Sequence, residues 1–444
     1  SVGHPAALRP RYWSETMTFS VDEMRTPPEV YAWSRFGAPE YTTWLDENLS
    51  WKTTCYIGDW SFLWQHWFRG PDVLRLFSEF SVNDFTNFAI GQSKHVIHTN
   101  RNGKVIHEGI LTRFADEEFM LHGRGGFWMK FQADRSDYDI QVESDDWFIY
   151  QVSGPNAIKV LQKLDPSTSY LDTKYMWVAP ITIAGHTIHA LRQGMAGEVG
   201  FELQGPAAIR DEIYEAVVEA GQEYGIRKMG GRVSLINHVE ACYPTIATDY
   251  IPAIFDEETK EYLEYFLSSM PPNAQPAYIA GSYRGHDISS YYRSPVELGW
   301  GKVVRGSGYL GQEALEAEKA EPQRVIRTLV WNADDVTDVY ASLFRKGEPN
   351  YTFMDMPRDQ RGFMWADRVE VNGKLVGVTT SRGYSHWFRE TISLCPIDLE
   401  YAEIGTQVTI AWGNPGDPEK SIRATVAPAP FKEDNRRLDL HAAT

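Results

Sequence analysis

The sequence predicts an α+β chain that ends in a separate all-β domain, and three observations carry that prediction. Residues 92–150 alternate apolar with polar positions and carry turn signals at Asn102-Gly103, Asp116-Glu117 and 123–126, the pattern of a strand meander. Residues 207–224 set Ile209, Ile213, Val217 and Ala220 on one stripe with acidic residues opposite, and Gly225 closes what reads as a helix. From about residue 325 the text is strand-like: VIRTLVW, WADRVEVNG, LVGVTTS, ISLCPID, QVTIAW and IRATVAP. The 444-residue length suits two or three domains, each with its own core.

Taken in chain order, the first 50 residues are rich in Pro, Trp and Arg and read as an irregular wrap. The stretch CYIGDWSFLWQHWF at 55–68 reads as strand, turn and strand. In its second strand Phe62, Trp64 and His66 share one face, and Leu63, Gln65 and Trp67 the other. Pro71 opens a short helix with Val73, Leu74, Phe77 and Phe80 at helical spacing. A further helix begins at Gly154-Pro155, and His238 and Glu240 fall on another. Residues 256–295 are rich in Tyr, Ser and Pro and read as a long loop with short helices.

Composition removes several function classes. With 43 basic and 60 acidic side chains the net charge is −17, a surface that repels phosphate backbones, so no nucleic-acid partner is expected. Cys55, Cys242 and Cys395 lie far apart with no C-x-x-C pair, which supports neither a disulfide framework nor a zinc ribbon. Residues 1–10 lack the apolar centre of a signal peptide and no apolar run reaches spanning length, so the expectation is a cytoplasmic protein without a membrane partner. His95 with His98, and His186 with His189, are three apart in strand-like text and point to opposite faces, so no metal is expected. Gly306-Ser307-Gly308 lacks the strand and helix of a phosphate loop, and Gly-x-Ser-x-Gly is absent.

What remains is a set of ionisable groups in apolar text. His107 and Glu108 open a strand; Arg124 sits in Gly123-Arg124-Gly125-Gly126 before Phe127 and Trp128; Glu198 and Glu202 flank a glycine-rich turn at 197–200. Arg232 follows Gly230-Gly231. Surface ion pairing is the ordinary reading of such groups. Glu202, inside the apolar strand FEL, is different, because a carboxylate there needs a defined partner. A planar heterocycle with adjacent N–H donors suits it. The chain also carries 15 Trp, 23 Tyr and 21 Phe, with a cluster at 56–68.

Five segments resemble one family, the glycine-cleavage aminomethyltransferases: MAGEVGFELQGP (195–206), GGRVSLINHVEACY (230–243), SPVELGWGKVV (294–304), VGVTTSRGYSHWFRETISLCPID (376–398) and NGKVIHEGIL (102–111). Their order and spacing agree over roughly residues 50–430. Nearer still, the SYYRSPVELGWG stretch and YASLF (340–344) resemble the tetrahydrofolate-dependent aryl O-demethylases of the vanillate and syringate type and the enzymes that cleave sesamin-like methylenedioxyphenyl rings. The resemblance implies a three-lobed fold with a central folate channel and a C-terminal β-barrel. It divides the chain into a folate-binding α+β domain from 1–60 and 151–300, a β-rich lobe at 61–150, and a barrel at 320–444.

It also implies roles. Glu202 holds the pterin N–H groups, Arg232 and Glu198 are further folate contacts, and Tyr384 lies near the cofactor's tail. Glu108 falls where the one-carbon unit joins the cofactor, and His107 replaces a family acid. His238 and Tyr243 are candidate proton donors. Tyr56, Trp60, Phe62, Trp64, His66, Arg124, Phe127, Trp128 and Ser234 are expected to line the substrate pocket. Two departures bear on substrate: Ser234 stands where the vanillate-type enzymes place a catalytic tyrosine, and Phe62 where they place a histidine, while Arg124 matches their pocket arginine. The expected reaction moves a methylene or methyl carbon from an aromatic ether to tetrahydrofolate. A methoxybenzoate demethylase, a folate-binding protein without transferase activity and aminomethyl transfer are the alternatives.

Overall fold

The computed structural model describes residues 20–25, 35–270, 277–362 and 364–444. Much of the expected N-terminal wrap, at 1–19 and 26–34, lies outside the described residues. Among those described, three large sheets each carry a lobe.

The first sheet has six strands in the order Ile226–Lys228, Cys55–Asp59, Trp147–Ser153, Gly200–Pro206, His186–Leu191 and Val178–Ile183. Alternation decides its two faces. Phe148, Tyr150, Val152, Phe201 and Leu203 turn toward the helices Ala157–Leu164 and Arg210–Gly221 and form one core with Ile158, Leu161, Ile213 and Val217. The second helix ends as expected: Gly225 takes φ +73°, a left-handed conformation that glycine adopts without a Cβ penalty. The opposite face carries Gln151, Glu202 and Gln204, since Gln151 lies directly across from Glu202.

The second sheet runs Ser93–Thr99, Val105–Ala115, Glu118–His122, Gln65–Arg69 and Gln141–Asp145. It departs from the expected meander, because the helix Gly125–Ala133 interrupts it. The glycines permit this. A Cβ at Gly126 would stand 2.1 Å from His66 Nδ1, and one at Gly125 2.7 Å from His98 Nε2, so only hydrogen lets the first turn lie on these two imidazoles. The strand expected to carry Phe62 and Trp64 starts only at Gln65; residues 61–64 form a turn in which the Leu63 N–H donates to Trp60 O at 3.0 Å. Phe62, Trp64 and His66 therefore do not share a strand face. The lobe also takes in a later stretch of chain: Ile251, Tyr262, Phe266 and Tyr291, expected with the first domain, pack in one core with Phe68, Phe77 and Leu121.

The third lobe is a closed barrel in the order Arg324–Trp331, Glu390–Asp398, Lys374–Ser385, Asp367–Val371, Gln407–Trp412 and Lys420–Ala427. The all-β expectation holds for the barrel but not for the connection after its first strand. Asn332 accepts from Asp335 N at 3.0 Å and caps the helix Ala333–Ser342. Across the seams, Thr380 Oγ1 donates to Asp249 at 2.6 Å, Ser385 Oγ to Glu240 at 2.5 Å, and His386 N to Asn48 at 2.5 Å. No described helix is long and apolar enough to cross a membrane.

Candidate active site

The polar face of the first sheet is built around Glu202, 5% exposed. Gln193 Nε2 donates to one carboxylate oxygen at 2.7 Å and Gln204 Nε2 to the other at 2.5 Å. The Gln151 amide is aimed by donation to Gln193 O at 2.9 Å and Ser153 Oγ at 2.8 Å. Its Oε1 and that of Gln204 are buried and have no hydrogen-bond partner among the described residues, nor does Asn237 Oδ1. Unmet acceptors beside a carboxylate make an edge that calls for N–H donors. His122, at the end of its strand in the second sheet, places Nδ1 3.9 Å from Glu202 and joins the two lobes here.

A run of rings leads from this junction. Trp60 stacks on His238 at 5.1 Å, His238 lies 5.2 Å from Tyr243, and Tyr243 lies 6.1 Å from His95. His95 Nε2 pairs with Glu108 at 2.8 Å, as neighbours on one face of the two paired strands. His95 also meets Trp300 edge-on at 4.9 Å, and Trp300 meets Tyr250 at 6.0 Å. His238 is fixed through Nδ1 to Thr245 Oγ1 at 3.0 Å, whereas its Nε2 has no partner among the described residues. Burial, then the charge of Arg358, hold the His238 pKa down at about 3.

Arg124 and Tyr250 close the site. Arg124 precedes the first turn of the helix Gly125–Ala133, 5.9 Å from the Trp64 ring, and its buried Nη1 has no partner among the described residues. Burial lowers its pKa to about 10, against the pull of Tyr250, Tyr262 and Glu108. The Tyr250 hydroxyl is likewise buried without a described partner. Burial and then Glu108 push its pKa well above the ordinary phenol value, with Arg124 acting in the opposite direction. Tyr243 is shifted the same way by the same leading causes, burial and Glu108. The arrangement can therefore keep phenols protonated beside a fixed cation. Phe127 walls it, 5.3 Å from Trp64 and 4.9 Å from His66, whose pKa burial lowers to about 4.

The structure thus brings together Glu108, Tyr243, His238, Trp60, Trp64, His66, Arg124, Phe127 and, through His122, Glu202. Phe62 stays at the edge, 5.7 Å from Trp60. Other expected residues lie elsewhere. Ser234 is wholly buried and faces Arg358, whose Nη2 donates to its Oγ at 2.8 Å, so it lines no aromatic pocket. Trp128 turns to the far side of its helix, against Tyr262 at 4.8 Å. Tyr56 is core behind the site: it is edge-on to Trp51 at 5.8 Å, shares a cluster with Trp60, and its hydroxyl accepts from Asn237 Nδ2 at 3.4 Å. His107 points away from Glu108, into Phe266 at 5.0 Å. Glu198 pairs with the buried Lys432 at 2.5 Å and belongs to a seam with the C-terminal segment. Arg232 donates to Met356 O at 2.8 Å and lies 5.7 Å from the Trp44 ring, which meets Tyr384 at 5.9 Å and packs against the cluster that holds Trp60. Among the described residues no group of three His, Cys, Asp or Glu side chains is placed to hold a metal.

Reading the sequence alone misses Tyr250, Gln151, Gln193, Gln204 and His122. Gln204, two residues after Glu202 on one strand, is the only one of these five with a local signal, the period of two.

Three lobes around an acceptor-lined junction define a T-protein type of architecture. The chain belongs to the glycine cleavage T-protein family: residues 10–259 match the GCVT N-terminal domain and residues 356–432 the glycine cleavage T-protein C-terminal barrel domain. It is 32% identical over 435 residues to the sesamin methylene transferase of Sinomonas sp. (strain No.22), covering 90% of this chain and 92% of that protein. It is 30% identical over 442 residues to the syringate O-demethylase of Sphingobium sp. (strain NBRC 103272 / SYK-6), covering 93% of each. The aminomethyltransferase T of Bartonella henselae shares the fold with a TM-score of 0.65 at 17% identity, over 90% of this chain and 92% of that one.

Proposed function

We propose that this protein is a tetrahydrofolate-dependent one-carbon transferase that opens an aromatic ether, taking a methylene carbon from a methylenedioxyphenyl ring and leaving a catechol. The observation that carries the reading is the acceptor edge of Glu202, Gln151 and Gln204 at one end of an aromatic-walled site that ends in Arg124 and Tyr250. A reduced pterin offers adjacent amino and ring N–H donors, so the residues present fit it: Glu202 with the two free amide oxygens would hold its ring. Bound there, the cofactor supplies a nucleophilic nitrogen for the carbon. The likeness to a methylene transferase and an O-demethylase supports the same chemistry.

The protein's part follows from elementary requirements. An aryl ether carbon leaves only if the departing oxygen is relieved of charge and water is kept out. Tyr250, like any phenol, holds its proton at neutral pH; burial and Glu108 hold it more tightly still, and it is the charge of Arg124, acting the other way, that favours its donation to the departing aryl oxygen. Arg124 offers an unused N–H and a positive charge to the same developing oxyanion. A methylenedioxy carbon is the easier target, because its second oxygen stabilises the cation as the protonated C–O bond breaks. The free Nη1 of buried Arg124 favours one second reading, a methoxybenzoate held by its carboxylate and giving up methyl.

Incubation with tetrahydrofolate and a panel of methylenedioxy and methoxy aromatics tests both, with mass analysis of the folate product. A net gain of one carbon and no hydrogen, as when a methylene bridge replaces two N–H hydrogens, supports the first reading, and a net gain of CH2, as when methyl replaces one hydrogen, supports the second. An unmodified folate with every ether would overturn the transferase assignment.

A further inference from the structure

Moving a carbon from an aryl ether to a nitrogen carries a proton balance. As the C–O bond breaks and the N–C bond forms, Ar–O–C and H–N become Ar–O–H and C–N. One proton must therefore leave the nitrogen for each one that the oxygen receives. Arg124 and Tyr250 serve the oxygen, and neither accepts a proton: a guanidinium has no acceptor, and burial and Glu108 hold the phenol proton in place. The buried imidazoles nearby are poor acceptors too. Burial brings the pKa of His66 and His98 to about 4 and of His238 to about 3, and sets that of His107 well below the ordinary value. Glu202 already accepts from Gln193 and Gln204 through both of its oxygens. Glu108 is differently placed. Among the described residues only its Oε2 has a hydrogen-bond partner, and 20% of its side chain is exposed.

That partner is His95, whose Nε2 lies 2.8 Å away. An ionised carboxylate only accepts, so the imidazole carries its proton on Nε2 and donates it. Strand register builds the contact. Ile97 lies directly opposite Glu108, so His95, two residues along on the same face, stands diagonally across from it. Trp300 meets the imidazole edge-on at 4.9 Å, Tyr243 flanks it at 6.1 Å, and Asn83 Nδ2 donates to the His95 carbonyl at 2.7 Å. The pair belongs to the reaction site: Glu108 acts electrostatically on Tyr243, Tyr250 and Arg124, and Tyr243 also feels Glu202. We propose that His95 is a positioning residue, holding Oε2 of Glu108 so that Oε1 takes the proton shed by the acceptor nitrogen, a role that rests on the one-carbon-transfer reading above. Oε1 gives that proton to solvent once the products leave, and Tyr250 regains its own from solvent, so the balance needs no further reactant.

Two substitutions separate this role from a merely structural one. His95→Gln keeps a side-chain N–H donor near the place of Nε2, whereas His95→Leu keeps bulk and loses the donor. With tetrahydrofolate and the fastest ether of the panel above, His95→Leu is expected to lower kcat about 100-fold and His95→Gln less than about fivefold. KM for the ether and calorimetric affinity for tetrahydrofolate should stay at the parent values in both, which also shows that both fold. In the protein alone, the Nε2 proton of His95 should give a downfield magnetic resonance that Glu108→Gln displaces, because the charge on the acceptor is gone. A parent kcat in His95→Leu, an equal loss in both variants, a loss carried by KM or by tetrahydrofolate affinity, or a resonance indifferent to Glu108→Gln would each overturn the positioning role. The transferase reading fails by a different result, a parent protein that leaves tetrahydrofolate unmodified with every ether.

Discussion

The imidazole of His238 lies flat against the indole of Trp60, 5.1 Å between centroids and 8° from parallel. The stack removes the ring from water, and Arg358 adds a positive charge nearby, so His238 is neutral until about pH 3. Burial thus disfavours the imidazolium that its expected role as proton donor needs, and we propose that the proton comes instead from a buried phenol, Tyr250, whose charge state is coupled to Arg124.

Tyr250→Phe should lower kcat by about 10²- to 10⁴-fold, the usual loss on removing a general acid, and leave tetrahydrofolate affinity unchanged. His238→Phe keeps a ring against Trp60 and should cost less than about tenfold on the same scale. Steady-state kinetics of both variants decide the assignment, and the reverse ranking would return the proton to His238.

Glu202→Ala strips Gln193 and Gln204 of their common acceptor and removes the charged part of the acceptor edge. Two hydrogen bonds to a charged group are worth enough to weaken tetrahydrofolate binding by about 100-fold or more. Calorimetric titration measures it, with a melting curve to show that the lobes stay folded. An unchanged affinity removes the cofactor from this face.

Acid should destabilise the protein through buried histidines. His66 and His98 hold pKa values near 4, against 6.5 when solvated, and burial is the leading cause for both. The unfolded chain therefore binds more protons between these limits, so stability is full above pH 6.5 and falls as pH drops toward 4. The linkage constant puts the loss at about 3 kcal/mol per ring as an upper bound. Melting temperatures across pH 7 to 4 record it, and His66→Gln should flatten the curve; an equal slope in that variant would exclude His66 as a cause.

Gly126→Ala would ordinarily favour a helix. Here the added methyl meets His66 Nδ1 at 2.1 Å, and the expected result is a loss of about 1–3 kcal/mol from overpacking. Urea denaturation at neutral pH measures it. A variant as stable as the parent would show that the helix can lift off the imidazole at no cost.

Ser234→Tyr, which the family pattern suggests as a route to vanillate-like acids, should give no such gain. Its Oγ lies 2.8 Å from Arg358 Nη2, and Arg358 Nε also donates to Ser234 O at 2.5 Å, so a phenol must expel a buried guanidinium. Soluble yield and vanillate turnover report on it; improved turnover would contradict this placement.

The lobes with regular alternation were legible before the structure, and so was Glu202, because a carboxylate in an apolar strand demands a partner. The strand face assigned to Phe62, Trp64 and His66 was not, since alternation cannot tell a strand from the turn that precedes it. The helix Gly125–Ala133 was hidden for a related reason: Gly125 and Gly126 read as a turn, and their need comes from His66 and His98, distant in sequence. Tyr250 carried no local signal. Its meaning comes from Arg124 and Glu108, more than a hundred residues away. Ser234 was placed by pattern, yet Arg358, from another lobe, decides what surrounds it.

The second lobe draws most of its core from two separate stretches, one containing Phe68, Phe77 and Leu121 and the other Ile251, Tyr262 and Tyr291, with Met24, Met364, Ala366 and Val378 added from elsewhere in the chain. A fragment cut between them would expose apolar surface on both halves, and neither could settle alone. Recombination between relatives inherits the same condition: a chimera that takes one stretch from one parent and one from another must reconcile two half-interiors. The interior of this lobe is therefore transferable only as a pair of segments.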